Sequence, residues 1–176
     1  MNLERSGNQG AFEMFSIGEQ IVYPVHGAGV IEAIETREIL GEERNYYVLK
    51  LSTGDLRVLV PVDGVERAGV RQVSDQKTLD EVDQILRNRP VEWEQNWNRR
   101  YRLNMEKIKS GDICALAEVV RNLSLREMAK GLSAGEKKML DNARKIFISE
   151  IILASGVTAE AVGDYLEQAL SSQLEV

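Results

Sequence analysis

The spacing of apolar positions along this chain changes period once. From residue 16 to about residue 60, apolar and polar side chains alternate, as in strands with one buried face. Ser16–Ile17–Gly18–Glu19 leads into a first strand over Gln20–Val25, carrying Ile21, Val22 and Tyr23. Pro24 and the run His26–Gly27–Ala28–Gly29 break it. Val30–Leu40 alternates roughly, with Val30, Glu32, Ile34, Thr36 and Glu38 on one side and Ile31, Ala33, Glu35, Arg37 and Ile39 on the other. Gly41–Glu42–Glu43 predicts a hairpin connection into Asn45–Leu51, whose Tyr46, Tyr47, Val48 and Leu49 suit a strand. Ser52–Thr53–Gly54–Asp55 predicts a second turn, and Leu56–Val60 a further strand closed by Pro61. Four or five short strands joined by tight turns predict a small twisted β-barrel of SH3-like or Tudor-like type.

Beyond residue 78 the period is helical. Leu79, Val82 and Leu86 share a face, and Pro90 marks a stop or a new start. Trp93, Trp97, Tyr101, Met105 and Ile108 follow at spacings of four, four, four and three, ending at Gly111. Asp112 is a candidate cap for a helix over Ile113–Met128 that ends at Gly131. Ser133 and Glu136 form the S-x-x-E pattern of a capping box ahead of Met139, Leu140, Ala143, Phe147 and Ile151. Gly156 fits a C-terminal cap, and Thr158 caps a last helix with Val162, Leu166 and Leu170. The prediction is α+β with two domains, a barrel over 14–72 and a compact five-helix domain over 78–172. Residues 1–13 are polar and without period, and read as a leader or a disordered arm.

Composition changes this picture little. The chain has 176 residues, 43% hydrophobic and 28% charged, a globular balance. A lone Cys114 and a lone His26 leave almost nothing for a transition-metal site or a nucleophile pair. No apolar run approaches the ~18 residues of a membrane span, so a cytoplasmic protein is expected. Nucleotide, zinc-protease and CxxC motifs are absent. Gly27–Ala28–Gly29 lacks the lysine and helix of a phosphate loop and reads as a β-turn. No cofactor, small-molecule substrate or catalysis is expected.

Charge is unevenly placed. The net charge of −6 opposes nucleic-acid binding, yet Trp97–Lys109 holds five cations against one anion, and Arg121–Lys145 seven against three. Trp97 lies within Gln95-Asn96-Trp97-Asn98-Arg99-Arg100-Tyr101-Arg102, where cations suit phosphates and a flat ring can wedge against or stack on a base. Arg99 and Arg102 share one helical face. The same spacing is equally that of a tryptophan anchoring its helix into a core, and the two readings stay open. Lys137 and Lys138 oppose the dipole of the helix that Ser133 caps, which points to an external anion or to an ordinary solvated face. In the strand region, Arg37 and Ile39, and Arg57 and Leu59, combine charge with apolar side chains, as partner-binding sheet edges do.

These stretches resemble the CarD/CdnL family of bacterial transcription regulators. The resemblance rests on Ile17–Gly27, Val30–Arg37, Tyr47–Lys50 and Val60-Pro61, then on Asn96–Arg102, Lys109–Asp112, Ala117–Leu123 and Gly131–Lys137, and runs from about Met14 to about Leu170. It implies that the barrel binds the RNA polymerase β subunit by edge-strand pairing, through Arg37 among others. Leu59 falls where some relatives place a basic residue and is kept as an apolar contact. It implies that the helical domain meets promoter DNA at the upstream edge of the melted bubble. Trp97 would be the wedge, with Arg99, Arg100, Arg102 and Lys137 as neighbouring cations. DNA binding by the isolated protein is expected to be weak and not sequence-specific. The competing expectation is a protein–protein adaptor with Trp97 buried and the helical domain a mere scaffold.

Overall fold

The computed structural model describes residues 14–88 and 93–174, so the leader or arm expected over 1–13 and the break at Pro90 lie outside the described residues. Strands β1 (Gln20–Tyr23), β2 (Gly27–Ile39), β3 (Glu42–Leu51), β4 (Arg57–Pro61) and β5 (Arg71–Gln72) precede helices α1 (Gln76–Arg87), α2 (Trp97–Lys109), α3 (Ile113–Lys130), α4 (Ala134–Ser155) and α5 (Ala159–Ser171). The α+β organisation and its five helices stand as the sequence predicts.

The strands form one antiparallel sheet in the order β4-β3-β2-β1-β5. Ile21, Ile31, Tyr47, Leu49 and Val60 are its most buried large side chains, and removing an aliphatic one of them from water is worth roughly 1.5–3 kcal/mol. The Tyr47 hydroxyl stays satisfied by accepting from the Phe15 backbone N–H at 3.1 Å. Two expectations need correction. The β2–β3 hairpin is long, 13 and 10 residues, and turns at Leu40–Gly41. Leu40 takes φ 56 and Gly41 φ 80, the doubly left-handed turn whose twist matches paired strands. Gly27–Ala28–Gly29 is not a turn but the start of β2, paired to β1. The turn is Pro24–His26. Gly29 has to be glycine, because a Cβ there would lie 2.2 Å from the Lys50 carbonyl oxygen.

In the helical domain α1, α3, α4 and α5 enclose Leu86, Ala117, Val119, Val120, Leu123, Ala143, Phe147 and Leu166. The predicted caps form. Asp112 accepts from Cys114 N, Thr158 from Ala161 N, and Gly156 ends α4 in the left-handed conformation. Trp93 is not on α2. Asn96 caps that helix by accepting from Arg99 N, so the run of helical spacing begins at Trp97. Tyr165 of α5 donates to Asp83 of α1, and burial followed by that carboxylate pushes its phenol up to about 12. Burial likewise pushes the Cys114 thiol up, away from the reactive thiolate.

Helix α4 ties the domains together through two adjacent residues. Ser149 Oγ accepts from Ala28 N at 2.9 Å, and the Ser149 carbonyl accepts from Ser52 Oγ at 2.6 Å. Glu150, 1% exposed, accepts from both terminal nitrogens of Arg71 at 2.7 and 2.9 Å and from the N–H and hydroxyl of Ser74 at 3.0 and 2.7 Å. Arg71 also donates to the Gly111 carbonyl at 2.9 and 2.7 Å, reaching a third segment. A buried carboxylate is tolerable only with such donors. Glu150→Ala is therefore expected to lower unfolding stability by about 2–4 kcal/mol, less than a fully enclosed pair because Arg71 regains water. Denaturant titration followed separately by tryptophan fluorescence and far-UV dichroism checks it. Domains held by this clamp should come apart into two transitions in the variant, and a single unchanged transition would count against it.

Candidate functional site

The first turn of α2 and the first turn of α4 meet, and Trp97 stands at the junction. Its indole is 44% exposed, stacks on Tyr101 with ring centroids 5.2 Å apart, and donates from Nε1 to Ser133 Oγ at 3.1 Å. The positive ends of two helix dipoles thus lie side by side. Around them Arg99, Arg102, Lys137 and Lys138 are all exposed. Three of these cations touch surface carboxylates: Arg99 meets Glu94 at 3.1 Å, Arg102 meets Glu106 at 3.9 Å, and Lys137 meets Glu127 at 3.4 Å. Exposed pairs of this kind are worth roughly 0–1 kcal/mol and exchange readily for another anion.

Arg100 is the correction. It is 8% exposed, and its Nε donates to Glu136 Oε1 at 2.6 Å. Its Nη1 donates to the carbonyls of Glu94 and Gln95 at 2.9 and 3.2 Å. The helical turn carries it away from the face shared by Arg99 and Arg102, so its charge is spent inside the protein. Burial pushes the Glu136 carboxyl up, but Arg100 and the N–H and hydroxyl of Ser133 outweigh it and hold Glu136 below the usual carboxylate range. The sequence reading missed Glu136 as the partner of Arg100 and Ser133 as the partner of Trp97. The S-x-x-E pattern marked both, but as a cap alone.

The four candidate residues of the sheet fall at two places. Arg57 and Leu59 lie on β4, whose outer edge carries no strand among the described residues. Arg37 and Ile39 lie on the part of β2 that runs past β4, since β3 pairs with β4 only from Tyr46 to Lys50. Arg57 binds Glu32 at 2.7 Å, where the β2–β3 register shifts, which lowers the Glu32 pKa and raises that of Arg57. Arg37 binds Glu35 at 2.8 Å. Leu59 is half-buried, Ile39 is 45% exposed, and Leu40 at the hairpin tip is fully exposed.

Residues 15–74 match the CarD-like/TRCF RID domain, and residues 81–167 match the CarD C-terminal domain. A protein of Bacillus subtilis (strain 168) described as "Putative transcription factor YdeB" is 41% identical over 152 residues, covering 86% of this chain and 99% of that protein. An RNA polymerase-interaction domain followed by this helical domain defines a class of non-catalytic bacterial transcription factor. The chain belongs to the CarD family, and its first domain implies RNA polymerase binding.

The depressed Glu136 pKa sets the sign of a pH effect. Its contribution is complete above the unfolded value of about 4.3 and is lost as pH falls through the lower folded value. Glu136→Gln should cost about 2–4 kcal/mol at pH 7, because Arg100 stays buried without its anion. The gap between wild type and variant should narrow as pH falls below the ordinary carboxylate range and through the lower folded value in denaturant titrations. A gap constant with pH would contradict the ion pair.

Proposed function

We propose that this protein binds the β subunit of RNA polymerase through the open edge of its sheet and promoter DNA through the Trp97 face, and so stabilises the open complex during initiation. The observation that carries the DNA contact is the exposed Trp97 ring at paired helix N-termini, with Arg99, Arg102, Lys137 and Lys138 around it. A core tryptophan has no reason to keep nearly half its surface in water. The adaptor reading required Trp97 to be buried, and its exposure favours the DNA reading. On the polymerase side, β4 has no strand on its outer edge among the described residues, which suits strand addition, with Arg57 and Leu59 along it. Arg37 and Ile39 extend the contact along the hairpin. Both partners place the protein in the bacterial cytoplasm.

The mechanism is differential binding. A protein tethered to polymerase meets promoter DNA at high effective concentration, so a weak grip suffices. A flat ring inserted where the minor groove is distorted, with cations on flanking phosphates, binds the opened duplex better than the closed one. A difference of ~1–3 kcal/mol shifts the open/closed ratio roughly 5- to 150-fold in favour of open. No base-specific readout is needed.

Open-complex lifetime with the cognate polymerase tests this. Wild type should lengthen it, and Trp97→Ala should lose the effect while still binding polymerase and staying folded, since the ring is exposed. No effect of wild type would return the adaptor reading. Four exposed cations limit the DNA contact, so log K against log salt should be no steeper than about −4 for the isolated protein. Arg102→Ala should reduce that slope by about 1, whereas Arg100→Ala should act through folding. Tight sequence-specific binding at physiological salt would refute the proposal.

A further inference from the structure

We infer that Ser133 and Glu136 are positioning residues that set, before any DNA is met, the pose of the Trp97 indole. The inference rests on Trp97 meeting DNA as proposed above. It starts from the bonding capacity of a hydroxyl, one donor and two acceptor sites. Ser133 Oγ uses all three, donating to Glu136 Oε2 at 3.1 Å and accepting from Glu136 N at 3.2 Å and from Trp97 Nε1 at 3.1 Å. Glu136 Oε1 accepts from Arg100, which holds the Glu94 and Gln95 carbonyls just ahead of Trp97. The bonds close a ring. Trp97 is held at its indole through Ser133 and at its incoming backbone through Arg100, and one carboxylate joins the two.

A capping box alone does not require this. Ser133 and Glu136 satisfy the α4 N-terminus between themselves, and such caps ordinarily sit in water. Here Glu136 is 2% exposed, an unfavourable place for a cap carboxylate without a further partner. The arrangement also commits the only polar atom of the indole to a partner within the protein's own surface, so the ring meets DNA with its faces and apolar edge, as a wedge rather than as a donor. Ordering the side chain in advance removes a penalty otherwise met on binding, equivalent to about two- to tenfold.

The test uses the full chain, the cognate polymerase and a promoter fragment. Ser133→Ala, and Ser133→Gly, which an N-cap tolerates better, both remove the hydroxyl. Ser133→Thr keeps it. Thr158→Ala removes a cap of the same kind from α5, far from Trp97, and controls for stability. Ser133→Ala and Ser133→Gly should shorten the open-complex lifetime about two- to tenfold relative to wild type, with the Trp97 indole proton moved upfield in the NMR spectrum of the free protein. Ser133→Thr and Thr158→Ala should retain the lifetime and the resonance. Equal shortening by Thr158→Ala would overturn the inference, because stability alone would then explain the effect. Wild-type lifetimes for both Ser133 variants, alongside a loss in Trp97→Ala, would overturn it and leave the DNA contact standing. A wild-type lifetime in Trp97→Ala would overturn both.

Discussion

A carboxylate leaves water only where donors replace it, and two such replacements sit on one helix. Glu136 in the first turn of α4 and Glu150 in its second half are each at most 2% exposed. The first gathers Ser133, Arg100 and, through them, Trp97. The second gathers Arg71, Ser74 and, through Arg71, Gly111. Fourteen residues of helix separate them, about 21 Å at 1.5 Å per residue. Apolar packing alone would let the domains slide, since it is non-directional. Bidentate bonds to a buried carboxylate do not.

The consequence is a strut. One end of α4 is bonded to the sheet domain through Ser149 and Glu150, and the other carries the Trp97 face. On the function proposed above, polymerase and DNA surfaces have to be presented at a defined separation, and a helix is the stiffest element available to set it. The turn Pro24–His26 and Gly111 lie at the same junction, where Pro24 and Val25 line a crevice with Ile108, Ile113 and Ile146. Val25, 43% exposed, takes φ 74 there, a strained conformation for a β-branched residue. The negative net charge fits the same picture. The stretch Trp97–Lys109 still holds five cations against one anion, while the residues after Lys145 carry no lysine or arginine.

Local chemistry made much of this legible. Asp112, Ser133, Gly156 and Thr158 marked helix ends because a cap is satisfied within three or four residues. Alternation marked the strands because pleating makes burial a two-residue property. Gly27–Ala28–Gly29 misled for the same reason. Its glycines signal a turn locally, but they are required by the close approach of β3 and of α4, which no local rule contains. Trp93 misled because spacing continues through a break, and Asn96 ends the pattern by capping α2.

The sequence by itself determined the two-part α+β organisation, the helix ends and the family to which the chain belongs. Each follows from interactions between near neighbours in the chain, or from motifs distinctive enough to mark a family. Tertiary structure alone decided which candidate residues face water. Arg99, Arg100 and Arg102 are indistinguishable as cations, yet Arg100 turns inward because Glu136, 36 positions on, lies across from it. Trp97 stays out because the start of α4 gives its indole a partner at the surface rather than a cavity to fill. Both outcomes depend on contacts between segments brought together only when the helices pack.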